Sequence, residues 1–312
     1  MLPPEVPRKF PGHAHVTAWP PGAGGDRTKI QTMTARATAP AGLRQRADLT
    51  VLTWPVFDPL PVDVIVTTRH GGVSPGGYAS LNLSFGVGDD PANVTENRRR
   101  LAAALDTDPG SLVFAGQVHG ADTAIVSAAD RGRGALAATG AIGPADALVT
   151  AEPATVLAIL VADCVPVVLY DPARHVLACA HAGWRGTVAH VAQSALTAMG
   201  SLGTRPRDVI AGIGPAVGPD AYQVGEQVAS AAEAAFGEHT RALLRPAGAG
   251  QWLFDLWAAN RLTLTLAGVP DTQIHVAGTP TGPGPGLFFS HRAQRPCGRF
   301  ALAARLEPRG QA

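Results

Sequence analysis

Residues 155–186 read TVLAILVADCVPVVLYDPARHVLACAHAGWRG, and this stretch contains three apolar segments separated by short polar breaks. Segments of this length that are rich in Val, Ile and Leu and are bounded by turn residues are typical of buried strands. We therefore predict strands at residues 155–162, 165–170 and 176–181. The loop that follows the last strand leads into a predicted helix at residues 187–200.

The same criteria predict further elements outward along the chain. Strands are expected at residues 62–68 and 209–213, and helices at residues 91–106 and 254–268, from apolar spacing and from Pro and Gly at their boundaries. The strands and helices alternate without the regular unit of a barrel or a doubly wound sheet. The sequence therefore predicts mixed β-sheets flanked by helices.

The composition excludes several classes of partner. The chain of 312 residues has 25 Lys and Arg against 24 Asp and Glu, a formal charge of +1, and only 16% charged residues. Binding to nucleic acid or to an anionic membrane usually needs a strong basic excess, so neither partner is predicted. The apolar segments also end far short of the roughly 18 residues of a membrane span. A near-neutral surface permits self-association without requiring it.

The glycine, proline and cysteine residues indicate how the chain is divided into folded and disordered parts and where the protein is located. There are 36 Gly and 27 Pro, and ten of these lie in the first 25 residues. We predict a disordered extension at residues 1–45, a catalytic domain at residues 46–308 and a short tail at residues 309–312. No apolar segment follows Met1, so no secretory signal is predicted, and Met33 offers a later start. Three cysteines do not suggest a disulfide framework, which favours a cytoplasmic protein.

Three polar breaks in apolar segments carry candidate metal ligands. They contain His119, Cys164 and His181, which are separated by 45 and 17 residues, so only the fold could bring them together. Two imidazoles and a thiolate suit zinc and leave a fourth position open for water or substrate. Cys179 lies two residues before His181 and could replace Cys164 as the ligand. Cys297 is predicted to be a structural or a surface thiol.

Two other interpretations remain open from these residues alone, one purely structural and one catalytic. A lone Cys in an apolar strand is most often a small buried hydrophobe, and strand-end histidines often serve only the fold. Alternatively, Cys164 is a nucleophile, His119 or His181 is its base, and Asp163 orients the base. A thiolate bound to zinc is not a free nucleophile, so the two functional readings exclude each other.

Glycine-rich segments supply candidate substrate contacts. The segment TTRHGGVS at residues 67–74 follows a strand, and its Arg69 could hold an anion or a phosphate, although a tight turn is the simpler interpretation. Asn82, a little further on, could pair with a nucleobase or a ribose. Arg185 lies in the loop that follows His181 and opens a predicted helix, where backbone amides and the positive helix end favour anions.

The motifs TTRHGGVS, QVHG, ADALVT, ADCVPVVLYDP and AHAGWRGTVA, in this order, resemble the YfiH-like family, also called laccase-domain or polyphenol oxidase-like proteins. The similarity spans roughly residues 50–306. It implies a single α+β domain and a zinc-bound purine nucleoside phosphorylase activity accompanied by adenosine deamination, with purine nucleosides and phosphate as partners. The family's metal ligands fall on His119, Cys164 and His181, which makes Cys179 structural.

The resemblance also suggests roles for other residues. Arg69 or Arg185 would hold phosphate or the base, Gln117 and Asn82 would contact substrate, and Asp163 would move a proton by virtue of its position beside Cys164. Copper could bind in the same site as zinc. Phenol oxidation is disfavoured because the chain has a single His-x-His pair, at His13 and His15.

The segment at residues 278–293 departs from the family pattern. The family commonly has a Cys-Thr pair before FFS and a Tyr and two Arg after it, whereas this chain has GTPT before and SHRA after. Two other functions stay open: a cysteine-type amidohydrolase acting on peptidoglycan precursors, and a non-catalytic protein that binds a metal or a purine.

Overall fold

The computed structural model describes residues 40–137, 139–282 and 286–309. Its strands are β1 (Gly42–Arg46), β2 (Leu49–Thr53), β3 (Val62–Thr67), β4 (Leu112–Phe114), β5 (Thr123–Ile125), β6 (Ala147–Thr150), β7 (Val156–Val161), β8 (Val165–Asp171), β9 (Val176–Ala182), β10 (Ile210–Ile213), β11 (Ala216–Val217), β12 (Gln223–Gly225), β13 (Leu244–Pro246), β14 (Gln251–Phe254), β15 (Ile274–Val276), β16 (Pro280–Thr281) and β17 (Phe300–Leu306). Its α-helices are α1 (Pro91–Ala104), α2 (Trp184–Val188), α3 (Val191–Ser201), α4 (Glu226–Phe236), α5 (Thr240–Leu243) and α6 (Leu256–Leu266).

Two six-stranded sheets form the centre of the fold. The first sheet has the order β1-β2-β3-β17-β7-β4, and the second has the order β15-β10-β8-β9-β6-β5. Both are mixed, since β4 runs parallel to β7 whereas β17 runs antiparallel to it, and β5 runs parallel to β6 whereas β9 runs antiparallel to it. The predicted α+β class with mixed sheets and flanking helices is therefore confirmed.

The sheets and helices form four layers. The two sheets face each other across an apolar core that includes Val66, Ile159 and Leu177. The outer face of the first sheet packs against α1, and the outer face of the second sheet packs against α3 and α6. Alternate residues of β9 serve the two faces of the second sheet, as expected for a strand buried on both sides.

The strands predicted at residues 155–162, 165–170 and 176–181 correspond to β7, β8 and β9 with ends shifted by at most one residue. The predicted helix at residues 91–106 corresponds to α1, whose first turn is capped by the side chain of Asp90. The single helix predicted at residues 187–200 is wrong. The chain forms α2 and α3 instead, because His190 between them has a left-handed backbone with φ of 58°.

The predicted start of the folded domain is also too late. Strand β1 begins at Gly42, where it pairs with Thr53 of β2, so residues 42–45 belong to the first sheet. The rest of the predicted extension, residues 1–39, lies outside the described residues, as do residues 283–285 and 310–312. Within the described ranges, no helix is long and apolar enough to cross a membrane.

Candidate metal centre

The structure brings His119, Cys164 and His181 together. One ligand atom from each lies within 4.8 Å of the other two, and the imidazole rings meet edge to face. His181 lies on β9, where it pairs with Pro166 of the neighbouring β8. The 45 and 17 residues that separate the three along the chain are thus reduced to contact distance by the fold.

The topology explains why the cluster forms at this end of the sandwich. Residues 115–122, which contain His119, connect β4 of the first sheet to β5 of the second. Residues 162–164 connect β7 of the first sheet to β8 of the second. Two of the three candidate ligands therefore lie on connections that cross between the sheets, and the third lies on the strand beside one of them.

Asp146 supports the cluster from behind and was not singled out from the sequence. Its fully buried carboxylate accepts hydrogen bonds from the backbone N–H groups of Val118, His119 and Gly120, at 3.1, 3.0 and 2.6 Å. Burial alone would raise the pKa of Asp146, but the hydrogen bonds from His181 and Gly120 lower it below its usual value. The available signal was a lone acidic residue directly before an apolar strand.

The side chains of the cluster shift one another's pKa values. Burial opposes ionisation of Cys164, yet hydrogen bonds from His119 and His181 outweigh it and lower the pKa of the thiol to about 6. Burial disfavours the charged form of His181, yet its bonds to Asp146 and Cys164 raise its pKa to about 9. A thiolate flanked by two imidazoles is a donor set that zinc and copper both accept.

The backbone at Gly183 is pressed against two of these side chains. A Cβ atom at this position would lie 2.9 Å from Sγ of Cys164 and 3.2 Å from Cδ2 of His119. Any side chain here would displace the candidate ligands. Position 183 therefore requires glycine because of the limited space. Its backbone conformation imposes no such requirement, since a φ of −70° is open to every residue.

The other two cysteines lie in apolar surroundings. Cys179 is fully buried in the core between the sheets, where burial raises the pKa of its thiol, and it is not part of the ligand cluster. Cys297 is only 4% exposed and donates to the carbonyl of Gly298 at 3.2 Å. Of the two alternatives predicted for Cys297, the surface thiol is therefore wrong.

A cavity of about 770 Å³ opens onto the cluster. Gln117 and Asp163, both predicted from the sequence, line it together with the three candidate ligands. Sequence reasoning did not single out its remaining polar side chains, which are Ser84, Tyr222, His291, Arg292, Arg295 and Arg299. The signal for the arginines was their spacing in one short segment that follows FFS, of which only Arg292 lies in the part of the chain that departs from the family pattern.

Gln117 and Asp163 are held by protein contacts. The amide of Gln117 donates to the carbonyl of Leu160 at 2.7 Å and accepts from its N–H at 2.8 Å. One oxygen of Asp163 accepts from the hydroxyl of Thr281 at 2.6 Å, and the other accepts from the N–H of Arg292 at 2.8 Å. These contacts fix the walls of the cavity.

The structure contradicts the substrate role predicted for Asn82. Its side chain is fully buried, donates to Ser84 and to Asp89, and accepts from the N–H of Arg299 at 2.9 Å. Every polar atom of the amide is thus engaged inside the protein. Asn82 organises the loop around it and holds Arg299, and it does not reach the cavity.

Arg69 and Arg185 also lie elsewhere than predicted. Nε of Arg69 donates to the carbonyl of Ala79 at 2.8 Å, and its guanidinium lies 4.6 Å from the ring centre of Phe289. Arg185 is exposed, with its guanidinium over the ring of its neighbour Trp184. Among the described residues neither arginine lines the cavity, so the anion contacts predicted for them are not supported.

Tyr222 is clamped at the cavity wall. Its ring stacks on Phe254 at a centroid distance of 6.3 Å, and the guanidinium of Arg292 lies 4.9 Å from its centre. Burial and, to a smaller extent, the charge of Cys164 raise the pKa of Tyr222 to about 12. The phenol therefore keeps its proton at neutral pH and is available to donate a hydrogen bond.

Comparisons with known proteins agree with the motifs. The model of a family described as "Multi-copper polyphenol oxidoreductase laccase" matches residues 63–307. The chain is 40% identical over 231 residues to "Purine nucleoside phosphorylase YlmD" of Geobacillus stearothermophilus, which covers 74% of this chain and 84% of the relative. It is 41% identical over 223 residues to "Purine nucleoside phosphorylase" of Deinococcus radiodurans, which covers 69% of this chain and 79% of the relative.

A solved structure shows the same fold. The crystal structure of the Bacillus licheniformis hypothetical protein YfiH superposes with a TM-score of 0.81 at 34% sequence identity. The match covers 85% of this chain and 99% of that chain.

Proposed function

Because the chain belongs to this laccase-domain, YfiH-like family, we propose that it is a zinc-dependent purine nucleoside phosphorylase with accompanying adenosine deaminase activity. It would convert adenosine or inosine and phosphate into the free base and ribose 1-phosphate. The two relatives described above carry the name purine nucleoside phosphorylase, which supports the first activity. The deaminase activity and the choice of zinc rest on the family resemblance and on the donor set.

One observation carries the proposal: a single cavity is lined both by the thiol–imidazole cluster and by three arginines. Its volume of about 770 Å³ lies within the roughly 300–1,000 Å³ typical of small-molecule sites. A neutral nucleoside and a phosphate anion together need a mixed apolar and cationic surface. Ala115, Leu160 and Val161 supply apolar wall beside the polar groups.

Phosphate would bind at the arginines, which line the cavity without a carboxylate partner in the described part of the chain. Within the described residues, their guanidinium groups donate hydrogen bonds to main-chain oxygens only, those of Gln223, His291, Cys297 and Gly298. A carbonyl leaves the positive charge uncompensated. Arg292, Arg295 and Arg299 are therefore suited to hold a phosphate dianion close to the anomeric carbon of the nucleoside.

Zinc would be held by His119, Cys164 and His181, and at its open position it would act as a Lewis acid on substrate or on a water molecule. Asp146 keeps His181 oriented for this task, and Gly183 leaves room for the ligands. The donor set also fits copper, so the use of copper in place of zinc stays a prediction, as does the cytoplasmic location.

For deamination, a group beside the cavity must move a proton. Asp163 was predicted for this role, but Thr281 and the N–H of Arg292 engage both of its oxygens. His291 is the better candidate because it lines the cavity, and because burial together with the charges of Arg299 and Arg295 lowers the pKa of its imidazole. A neutral imidazole at physiological pH can accept a proton.

One observation favours a second function, a cysteine-type amidohydrolase. Asp146, His181 and Cys164 form a carboxylate–imidazole–thiol series of the kind that activates nucleophiles. Asp146, and not Asp163, is the orienting acid in this series. The mark of this alternative is covalent trapping of Cys164 by a substrate-like electrophile in active protein that is free of metal.

The deciding experiment combines metal analysis with a product screen. Zinc-loaded protein is incubated with adenosine or inosine and phosphate, and bases, inosine and ribose 1-phosphate are quantified. His181→Ala should abolish product, whereas His239→Ala, which changes an exposed histidine, should not. The absence of product above the His181→Ala level would overturn the proposal. Nucleoside binding without turnover would indicate a non-catalytic binding protein instead.

A further inference from the structure

Asp163 occupies an unusual place in the backbone. It lies on the connection between β7 and β8, directly before Cys164, and its φ of +80° is rare for a residue with a side chain. Its side chain is 9% exposed. Strained conformations of this kind persist where the surrounding contacts hold them, and they concentrate at functional sites.

Three hydrogen bonds hold Asp163 to three other segments of the chain. Its main-chain oxygen accepts from the N–H of Val217 on β11 at 2.9 Å. One carboxylate oxygen accepts from the hydroxyl of Thr281 on β16, which is 2% exposed and pairs with Val217. The other oxygen accepts from the N–H of Arg292. The carboxylate thus joins the turn that carries a candidate metal ligand to the start of a distant segment.

That segment, residues 292–299, carries the three arginines of the cavity and is here called the arginine segment. At its far end, the N–H of Arg299 donates to the buried amide of Asn82. The segment is therefore held at both ends by buried side chains that accept hydrogen bonds from its backbone N–H groups. The guanidinium groups of the segment do not take part in these two contacts and line the cavity. Asp163 makes the tie that lies next to the metal ligands.

These contacts give Asp163 a different task from proton transfer. An ionised carboxylate accepts hydrogen bonds and donates none, and both oxygens here already face donors of the protein. The arrangement suits a group that sets the distance between these segments.

We propose that Asp163 is a positioning residue that places the arginine segment opposite the metal ligands and thereby sets the affinity for phosphate. The inference rests on the proposed function for its choice of anion. It is independent of that function in its structural claim, which is that the carboxylate holds the N–H of Arg292. Asp163 acts through Arg292 and does not itself contact the substrate.

The test uses three variants of the full chain. Asp163→Gly removes both accepting oxygens, and glycine tolerates the φ of +80° at this position. Thr281→Val removes one tie while keeping the shape of the side chain, and Thr281→Ser is the conservative control that keeps the hydroxyl. The Michaelis constants for phosphate and for nucleoside, kcat and zinc content are measured for each.

We expect Asp163→Gly to raise the KM for phosphate about tenfold and Thr281→Val about threefold, as for the loss of a charge-assisted hydrogen bond. The nucleoside KM, kcat and zinc content should stay within about twofold, and Thr281→Ser should match the original protein. A loss of kcat with unchanged phosphate KM would overturn the proposal, since an acid–base group behaves in that way. A loss of zinc in both variants would overturn it as well.

A second measurement does not depend on activity. Hydrogen exchange of the Arg292 amide should be slow in the zinc-loaded protein and at least tenfold faster in Asp163→Gly. Equal exchange rates would overturn the structural claim. If the original protein has no phosphorylase activity but the exchange rates differ as expected, the proposed function fails while the positioning role of Asp163 stands.

Discussion

Oδ1 of Asp146 lies 2.7 Å from Nδ1 of His181, and both side chains are almost completely buried. The carboxylate can only accept, so Nδ1 of His181 carries a proton and Nε2 is the ring nitrogen that faces Cys164. One buried acid therefore fixes both the tautomer of one candidate ligand and, through the N–H of His119, the loop that carries another.

Asp146→Asn should weaken zinc binding by about 10- to 100-fold, the usual effect of removing an outer partner of a metal-bound histidine. The amide no longer selects the tautomer of His181. Affinity is measured by competition with a chromophoric chelator. Asp48→Asn, which changes an exposed carboxylate, is the matched control, and equal affinities for the two variants would contradict the role assigned to Asp146.

Gly183→Ala should reduce bound zinc strongly while leaving the fold intact. The added Cβ would lie 2.9 Å from Sγ of Cys164, closer than real Cβ contacts, so the thiol must move. Gly225→Ala is the matched control because nothing lies within 4 Å of its added Cβ and its φ is −96°. Zinc per chain is measured by elemental analysis, and full zinc occupancy in Gly183→Ala would contradict the close packing.

The variants Cys164→Ala and Cys179→Ala should separate an effect on zinc binding from an effect on the free energy of unfolding. The first should lose zinc because the thiolate is one of three candidate ligands. The second should keep zinc and lose roughly 1–2 kcal/mol of unfolding free energy, since it removes only the sulfur of a buried, apolar side chain. Zinc content and urea denaturation are measured for both. Zinc loss in Cys179→Ala would reopen it as the ligand.

Arg295→Gln should raise the KM for phosphate about tenfold, because it removes one of the uncompensated charges of the cavity. Bound zinc should be unchanged. Arg241→Gln, at an exposed position outside the cavity, controls for a general loss of charge. An unchanged phosphate KM, in the presence of activity, would place the anion elsewhere.

The sequence was most informative at buried positions, where the apolar surroundings restrict which residue types can occur. The strands within residues 155–186 could be located because short β-branched segments between turn residues are typical of buried strands. The trio His119, Cys164 and His181 could be proposed because these side chains interrupt apolar segments. Their meeting could not be derived, since it depends on two connections that pass between sheets, which no local pattern encodes.

Loop residues were harder to assign because a polar side chain in a loop has many possible partners. Arg69 and Asn82 were predicted to contact substrate, yet in the structure both side chains form hydrogen bonds with other groups of the protein. Arg295 and Arg299 drew no attention in the sequence, although the fold turns them toward the cavity. The break at His190 was invisible for a similar reason, because a left-handed residue without glycine leaves no sequence signal.

The placement of two candidate ligands on the connections between sheets has a consequence for assembly of the molecule. A metal held there would cross-link the two halves of the sandwich, much as a disulfide would in an oxidising environment. Its three ligands would come together only once both sheets have formed and docked. Uptake of such a metal would therefore be one of the last events of folding, and a metal-loaded chain would be one whose two sheets are correctly assembled.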